Sequence, residues 1–164
     1  MNSEDCTYPH GDRVIRGGCA WRHTPDADAG LAQLRASDPF AFGNLQGQIQ
    51  ESENSGLGSS TYRAPVDYRC PLEFAPTNEP DAPWLGELKA SGKKGTQWRL
   101  YFGEPINHQV LVVGISLRDS KRAKLSVVQN RGRQRQHITQ AMRFLKTYFR
   151  SQGFRWAPFP RGSR

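Results

Sequence analysis

The chain has 164 residues, 36% of them hydrophobic and 23% charged, with a mean hydropathy of -0.72. That length builds one domain with a core and some extra segments, and is too short for two ordinary domains. Net charge is +8, divided unevenly: residues 1–88 hold 6 Lys/Arg against 13 Asp/Glu (-7), and residues 89–164 hold 17 against 2 (+15). The split predicts a polyanion partner for the second half, most simply nucleic acid. No apolar run approaches the roughly 20 residues that span a bilayer, so a membrane partner is not expected. Glu4, Asp5 and Asp12, with no continuous apolar stretch around them, argue against a secretory signal. Three cysteines make no disulfide framework and point to a reducing cytoplasm.

The first 25 residues read as an acidic arm, in which Asp12–Arg16 has the look of a brief strand before Gly17 and Gly18. Two helices follow. Asp26 or Asp28 caps the first, which carries Leu31 and Leu34; Asp38 and Pro39 form a cap and first turn for the second. Phe42, Leu45 and Ile49 lie on one face of that second helix, and Gly43 and Gly47 make it depend on tertiary support. Residues 52–83, rich in Gly, Ser and Pro, read as a long connection with an edge strand between Tyr68 and Phe74.

Residues 97–102 alternate, with Trp98, Leu100 and Phe102 on one face and Gln97, Arg99 and Tyr101 on the other. After a turn at 103–108, the run 110–115 is apolar on both faces, so the two predict an antiparallel hairpin with a central second strand. Residues 118–136 read as a basic loop with a short strand at Leu125–Val128. Ile138, Ala141, Met142, Leu145, Tyr148 and Phe149 mark a helix with one apolar stripe, and Arg143, Lys146 and Arg150 lie beside it. The tail from Ser151 is expected to fray.

Cys6, His10, Cys19 and His23 repeat a C-x3-H spacing, with glycines between the pairs. Two thiolates and two imidazoles suit tetrahedral zinc, so a structural zinc knuckle is one expectation for the arm. Coincidental spacing in an acidic arm is the other.

The stretches Trp98–Phe102, Val110–Arg118 with Lys121 and Arg122, and Ile138–Leu145, in this order, resemble the RelE/ParE superfamily of toxins, and its HigB-like branch most. The resemblance covers roughly 28–150, with its motif-like residues in 84–150. It implies a small α+β fold over 26–150: a twisted antiparallel sheet, an N-terminal helical pair and a C-terminal amphipathic helix. It also implies a toxin of a toxin-antitoxin pair. Such a toxin cuts mRNA on the ribosome without a metal cofactor and is neutralised by an antitoxin protein; ParE members act on gyrase instead.

Cutting RNA through its 2'-OH requires a base, a cation for the phosphate and an acid for the leaving oxygen. The resemblance places Arg99 as the phosphate-stabilising cation, with Tyr101 on its face and Arg118 just after the central strand. Lys89, Lys93, Lys94, Lys121, Arg122 and Arg143 are the expected phosphate contacts. The family carries a tyrosine near the start of the last helix. Here that neighbourhood offers His137, an imidazole able to act as acid or base near neutral pH. His108, in the hairpin turn, is a second histidine with no family counterpart. Strand and loop cations of this kind also serve as plain solvated faces, which leaves a non-catalytic nucleic-acid-binding protein as the alternative.

Overall fold

A computed structural model describes residues 12–76, 79 and 81–160. Its elements in order are α1 (Asp12–Arg16), β1 (Ala20–His23), α2 (Pro25–Ser37), α3 (Pro39–Asn54), β2 (Tyr68–Arg69), β3 (Gly86–Ser91), β4 (Gln97–Gly103), β5 (Leu111–Lys121) and α4 (Val127–Gln152). The fold is α+β. One five-stranded sheet has the order β1-β5-β4-β3-β2. The expected hairpin is β4–β5, and β5 is central and apolar on both faces as its sequence requires.

The sheet is mixed, not wholly antiparallel, because β1 pairs in parallel with β5 in the register Ala20↔Leu111 to His23↔Gly114. A strand at the start of the chain reaches β5 in parallel only through a long crossover, and α2 and α3 lie within that connection. They pack on one face, where Leu31, Leu34, Leu45 and Ile49 meet Leu88, Leu100, Phe102 and Leu117. On the other face, Ile138, Met142, Leu145 and Phe149 of α4 cover Tyr101, Val113 and Ile115.

Several local expectations need correcting. Residues 12–16 form a helical turn, not a strand: Gly17 N–H closes it on Arg13 O at 2.9 Å, and the Arg13 amide donates to Glu104. The α2 cap is Thr24, not Asp26 or Asp28. Its Oγ1 accepts from Ala27 N at 3.1 Å and donates to Ile115 O at 2.6 Å, tying the helix to the sheet, while Pro25 takes the first helical position. Asp38 caps α3 as expected. Gly47 gives α3 its tertiary support by admitting the Tyr62 hydroxyl, which would stand 2.7 Å from a Cβ there.

Leu125–Val128 is no strand. Ser126 and Gln129 form a capping box, so the supposed basic loop is the end of β5, a short link, and the first turns of α4. The tail does not fray through Pro160: Trp84 N donates to Ala157 O at 2.7 Å, Phe159 N donates to Ala82 O at 2.8 Å, and Ala157 and Phe159 are buried.

Candidate nucleic-acid interface

Alternation along β4 sends Leu100 and Phe102 to the α2–α3 side and Arg99 and Tyr101 to the α4 side. Register then aligns Lys89 of β3, Arg99 of β4 and Arg118 of β5 side by side across three strands. Like charges directly opposite each other destabilise a sheet unless something neutralises them. Glu87, two residues before Lys89 and so on the same face, supplies that charge. Its carboxylate is buried and accepts from Arg99 Nη1 at 2.9 and 3.1 Å, with Lys89 Nζ at 3.7 Å. Arg118 is held at the other end of the row by Asp26, at 3.1 Å.

Arg99 is therefore a buried, paired cation, 7% exposed, whose Nη2 also donates to Gln97 Oε1 at 2.6 Å. Its Nε has no hydrogen-bond partner among the described residues. The side chain stands between two openings beside α4. One, of about 240 Å³, is lined by Glu87, Lys89, Arg69, Gln134 and Ile138. The other, of about 300 Å³, is lined by Ser120, Lys121, Arg122, Asn130, Arg131 and Gln134. Burial draws the Lys89 ammonium below its ordinary pKa, against the pull of Glu87, and its Nζ donates to Pro65 O at 2.7 Å.

Tyr101 is completely buried under α4, so its hydroxyl meets nothing from solvent directly. It lies 2.9 Å from Ser120 Oγ, and Ser120 Oγ lies 3.1 Å from His137 Nδ1. Burial, reinforced by Arg133, holds the His137 imidazole below its ordinary pKa, with Asp119 opposing and Arg118 and Arg122 adding to the effect. Burial also pushes the Tyr101 phenol well above its ordinary value. Arg133 and Arg118, the latter reaching Gln140 Oε1 at 3.4 Å, border this second cluster.

Lys121 and Arg122, at the end of β5, are exposed and share one end of the sheet with the Lys93–Gly95 turn, where a Cβ on Gly95 would touch Ala123. Lys93 and Lys94 are therefore not in the Arg99 row. They join Lys121, Arg122, Lys124 and Arg131 as six exposed cations from three chain segments. Asp38 fixes the Lys93 turn by accepting from Lys93 N at 2.7 Å, and that bond holds the Asp38 carboxyl below its usual range.

Arg143 lies nine residues from Gln134, half a rotation around α4. It faces a different groove and is tied to Glu79 at 3.0 Å. His108 stacks edge-on against Phe154, with ring centroids 5.9 Å apart, and belongs to neither cluster.

Of the four expected zinc ligands, Cys6 and His10 lie outside the described residues. Cys19 is buried with its thiol on Ser52 O at 3.2 Å, and His23 ends β1 with Nδ1 buried and without a hydrogen-bond partner among the described residues. Four residues along an extended chain separate this pair by roughly 13 Å, beyond the reach of one ion. Among the described residues no group of three or more His, Cys, Asp or Glu is placed to hold a metal, and no helix is long and apolar enough to cross a membrane.

No family model, curated protein or solved structure matches this chain.

Glu87 and Ser120 escaped the sequence reading, although alternation from Lys89 and from Arg118 would have placed each on the Arg99 face. Gln134, which lines both openings, carried no signal of its own.

Proposed function

We propose that this protein is an RNA-directed toxin of the RelE/ParE kind, nearest the HigB-like branch. In this reading it grips the RNA backbone with the exposed cations at one end of its sheet and cuts translated mRNA by 2'-OH attack without a metal. The observation that carries the RNA-binding half is the gathering of Lys93, Lys94, Lys121, Arg122, Lys124 and Arg131 at one end of the fold. Cations drawn from separate segments to one end, beside the row Lys89–Arg99–Arg118, suit a phosphate chain better than a scattered solvated surface does. The cutting half is supported by the order of elements that carries the resemblance, and by His137 beside Arg118 and Arg133.

A second reading, a nucleic-acid binder that does not cut, is favoured by one specific feature. Arg99 already spends its charge on Glu87, and Tyr101 is sealed under α4. Translating ribosomes programmed with a defined mRNA separate the two. The toxin reading expects discrete cuts that require translation, and growth arrest on expression that a cognate antitoxin relieves. Intact mRNA with retained RNA binding selects the second reading, and DNA damage without mRNA loss would point to gyrase.

A further inference from the structure

The three polar atoms beneath the N-terminal half of α4 form a chain whose proton positions are fixed by counting. Tyr101 is 0% exposed, and Ser120 Oγ is the only hydrogen-bond partner of its hydroxyl among the described residues. If Ser120 donated to Tyr101, the phenol hydrogen would be buried with no acceptor. Tyr101 therefore donates to Ser120.

Ser120 is 1% exposed and has one other side-chain partner among the described residues, His137 Nδ1. If Nδ1 carried a proton and donated to Ser120, the serine hydrogen would in turn be orphaned. One arrangement satisfies all three groups: the phenol donates to the serine, and the serine donates to Nδ1. The neutral imidazole then carries its proton on Nε2.

We propose that Ser120, which accepts from the buried Tyr101 phenol, is a positioning residue that locks His137 in its Nε2–H tautomer, so that the ring offers an uncharged hydrogen-bond donor to a phosphate oxygen instead of a base. The role toward phosphate rests on the RNA reading above; the tautomer does not. Because the lone pair of Nδ1 is engaged, and Nε2 has no lone pair in this form, His137 takes no proton in the neutral site. The His137 imidazole lies within electrostatic reach of Arg118, Arg122 and Arg133, with Asp119 the acidic group acting on it. A neutral donor among guanidinium groups adds direction to phosphate contacts without adding a fourth like charge. Protonating the ring would make Nδ1 a donor and leave one buried hydroxyl hydrogen, that of Ser120 or of Tyr101, without an acceptor, and the lowered His137 pKa has the matching sign.

Long-range proton–nitrogen NMR on the full-length protein, above the histidine titration, reads the tautomer directly. An orphaned buried donor biases such an equilibrium by roughly tenfold or more, so one set of His137 signals is expected, with the proton on Nε2. Tyr101→Phe keeps the ring in the core and removes the donor; Ser120→Ala removes the link. In Ser120→Ala the Nδ1–H form should rise to a measurable share; in Tyr101→Phe the Ser120 hydrogen keeps Nδ1 as its acceptor, so that variant, like Ser120→Thr, should retain the Nε2–H form. A dispersed amide spectrum in each variant shows that it has folded.

An Nδ1–H tautomer in the wild type overturns the proposal, as does an unchanged ratio in folded Ser120→Ala or a rise of the Nδ1–H form in folded Tyr101→Phe. Titration with inorganic phosphate should shift the Nε2–H signal. A correct tautomer with no phosphate response would refute the donor role and leave the lock standing. Loss of mRNA cutting alone would concern the toxin reading and not the tautomer.

Discussion

Removing Glu87 is the sharpest test of how the cation row is held together. Its carboxylate is 1% exposed and is the counter-charge of Arg99, itself 7% exposed and flanked across the sheet by Lys89 and Arg118. In Glu87→Leu the Arg99 guanidinium stays buried beside two like charges, keeping only Gln97 among the described residues. Breaking a buried pair from one side costs about 3–5 kcal/mol. For a chain of this size each kcal/mol moves the Tm by roughly 2–4 °C, so the Tm should fall by roughly 6–20 °C.

The double variant Glu87→Leu/Arg99→Met should recover most of that loss, because a hydrophobic pair of similar volume often equals or exceeds a buried ion pair. Urea and thermal unfolding of the wild type, both single variants and the double variant give the coupling energy. A Glu87→Leu protein within about 1 kcal/mol of wild type, or a double variant no better than the single, would refute the reasoning. The same numbers warn that lost activity in Arg99→Ala needs a folding control before it speaks about chemistry.

Three further outcomes are expected. His23 and His137 are both held below the ordinary histidine pKa by burial, so the unfolded chain binds their protons at higher pH than the folded one. Their contribution to stability should be full above about pH 6.5 and fall as pH drops from there through the lowered folded values. Denaturant unfolding at pH 7.5, 6.5 and 5.5 that gives a flat profile would contradict this. Asp38→Ala removes both the α3 cap and the acceptor for Lys93 N, and should cost about 2 kcal/mol in the same unfolding assay. Gly56→Ala forces a side chain onto a residue at φ 85°, with its Cβ 2.1 Å from Ile15 O. A loss of at least about 2 kcal/mol should follow, and a neutral result would mean that the α1–α3 contact is loose.

Where local rules were sufficient, the sequence was legible. The β4–β5 hairpin follows from strict alternation beside a doubly apolar strand, and Asp38-Pro39 marks the start of α3 without help from the rest of the chain. Val127 and Val128 misled because their β-branched side chains suggest a strand. The stronger local signal was the Ser126-x-x-Gln129 capping box, and both valines stand exposed in the first turn of α4. Ala20–His23 gave no strand signal of its own, since half of what makes β1 a strand is the edge of β5 more than 80 residues later. The order of residues 154–160 is similarly non-local, fixed by Ala82 and Trp84.

At the site, residue types pointed to Arg99, Tyr101, Arg118 and His137. Their states were not legible, because pairing with Glu87, burial under α4 and linkage through Ser120 all depend on strand register and on where one helix lies.

The central claim, that the cationic end of the sheet grips an RNA backbone, meets its most direct test in the salt dependence of binding. A single-stranded RNA should bind the wild type with log affinity falling linearly in log salt. The slope should be near -4 if all six exposed cations meet phosphates, at about 0.7 per contact. Replacing Lys121, Arg122, Lys124 and Arg131 together by Gln should reduce that slope by roughly 3 while the fold persists. An unchanged slope in the folded quadruple variant, or no salt-dependent binding by the wild type, would contradict the account.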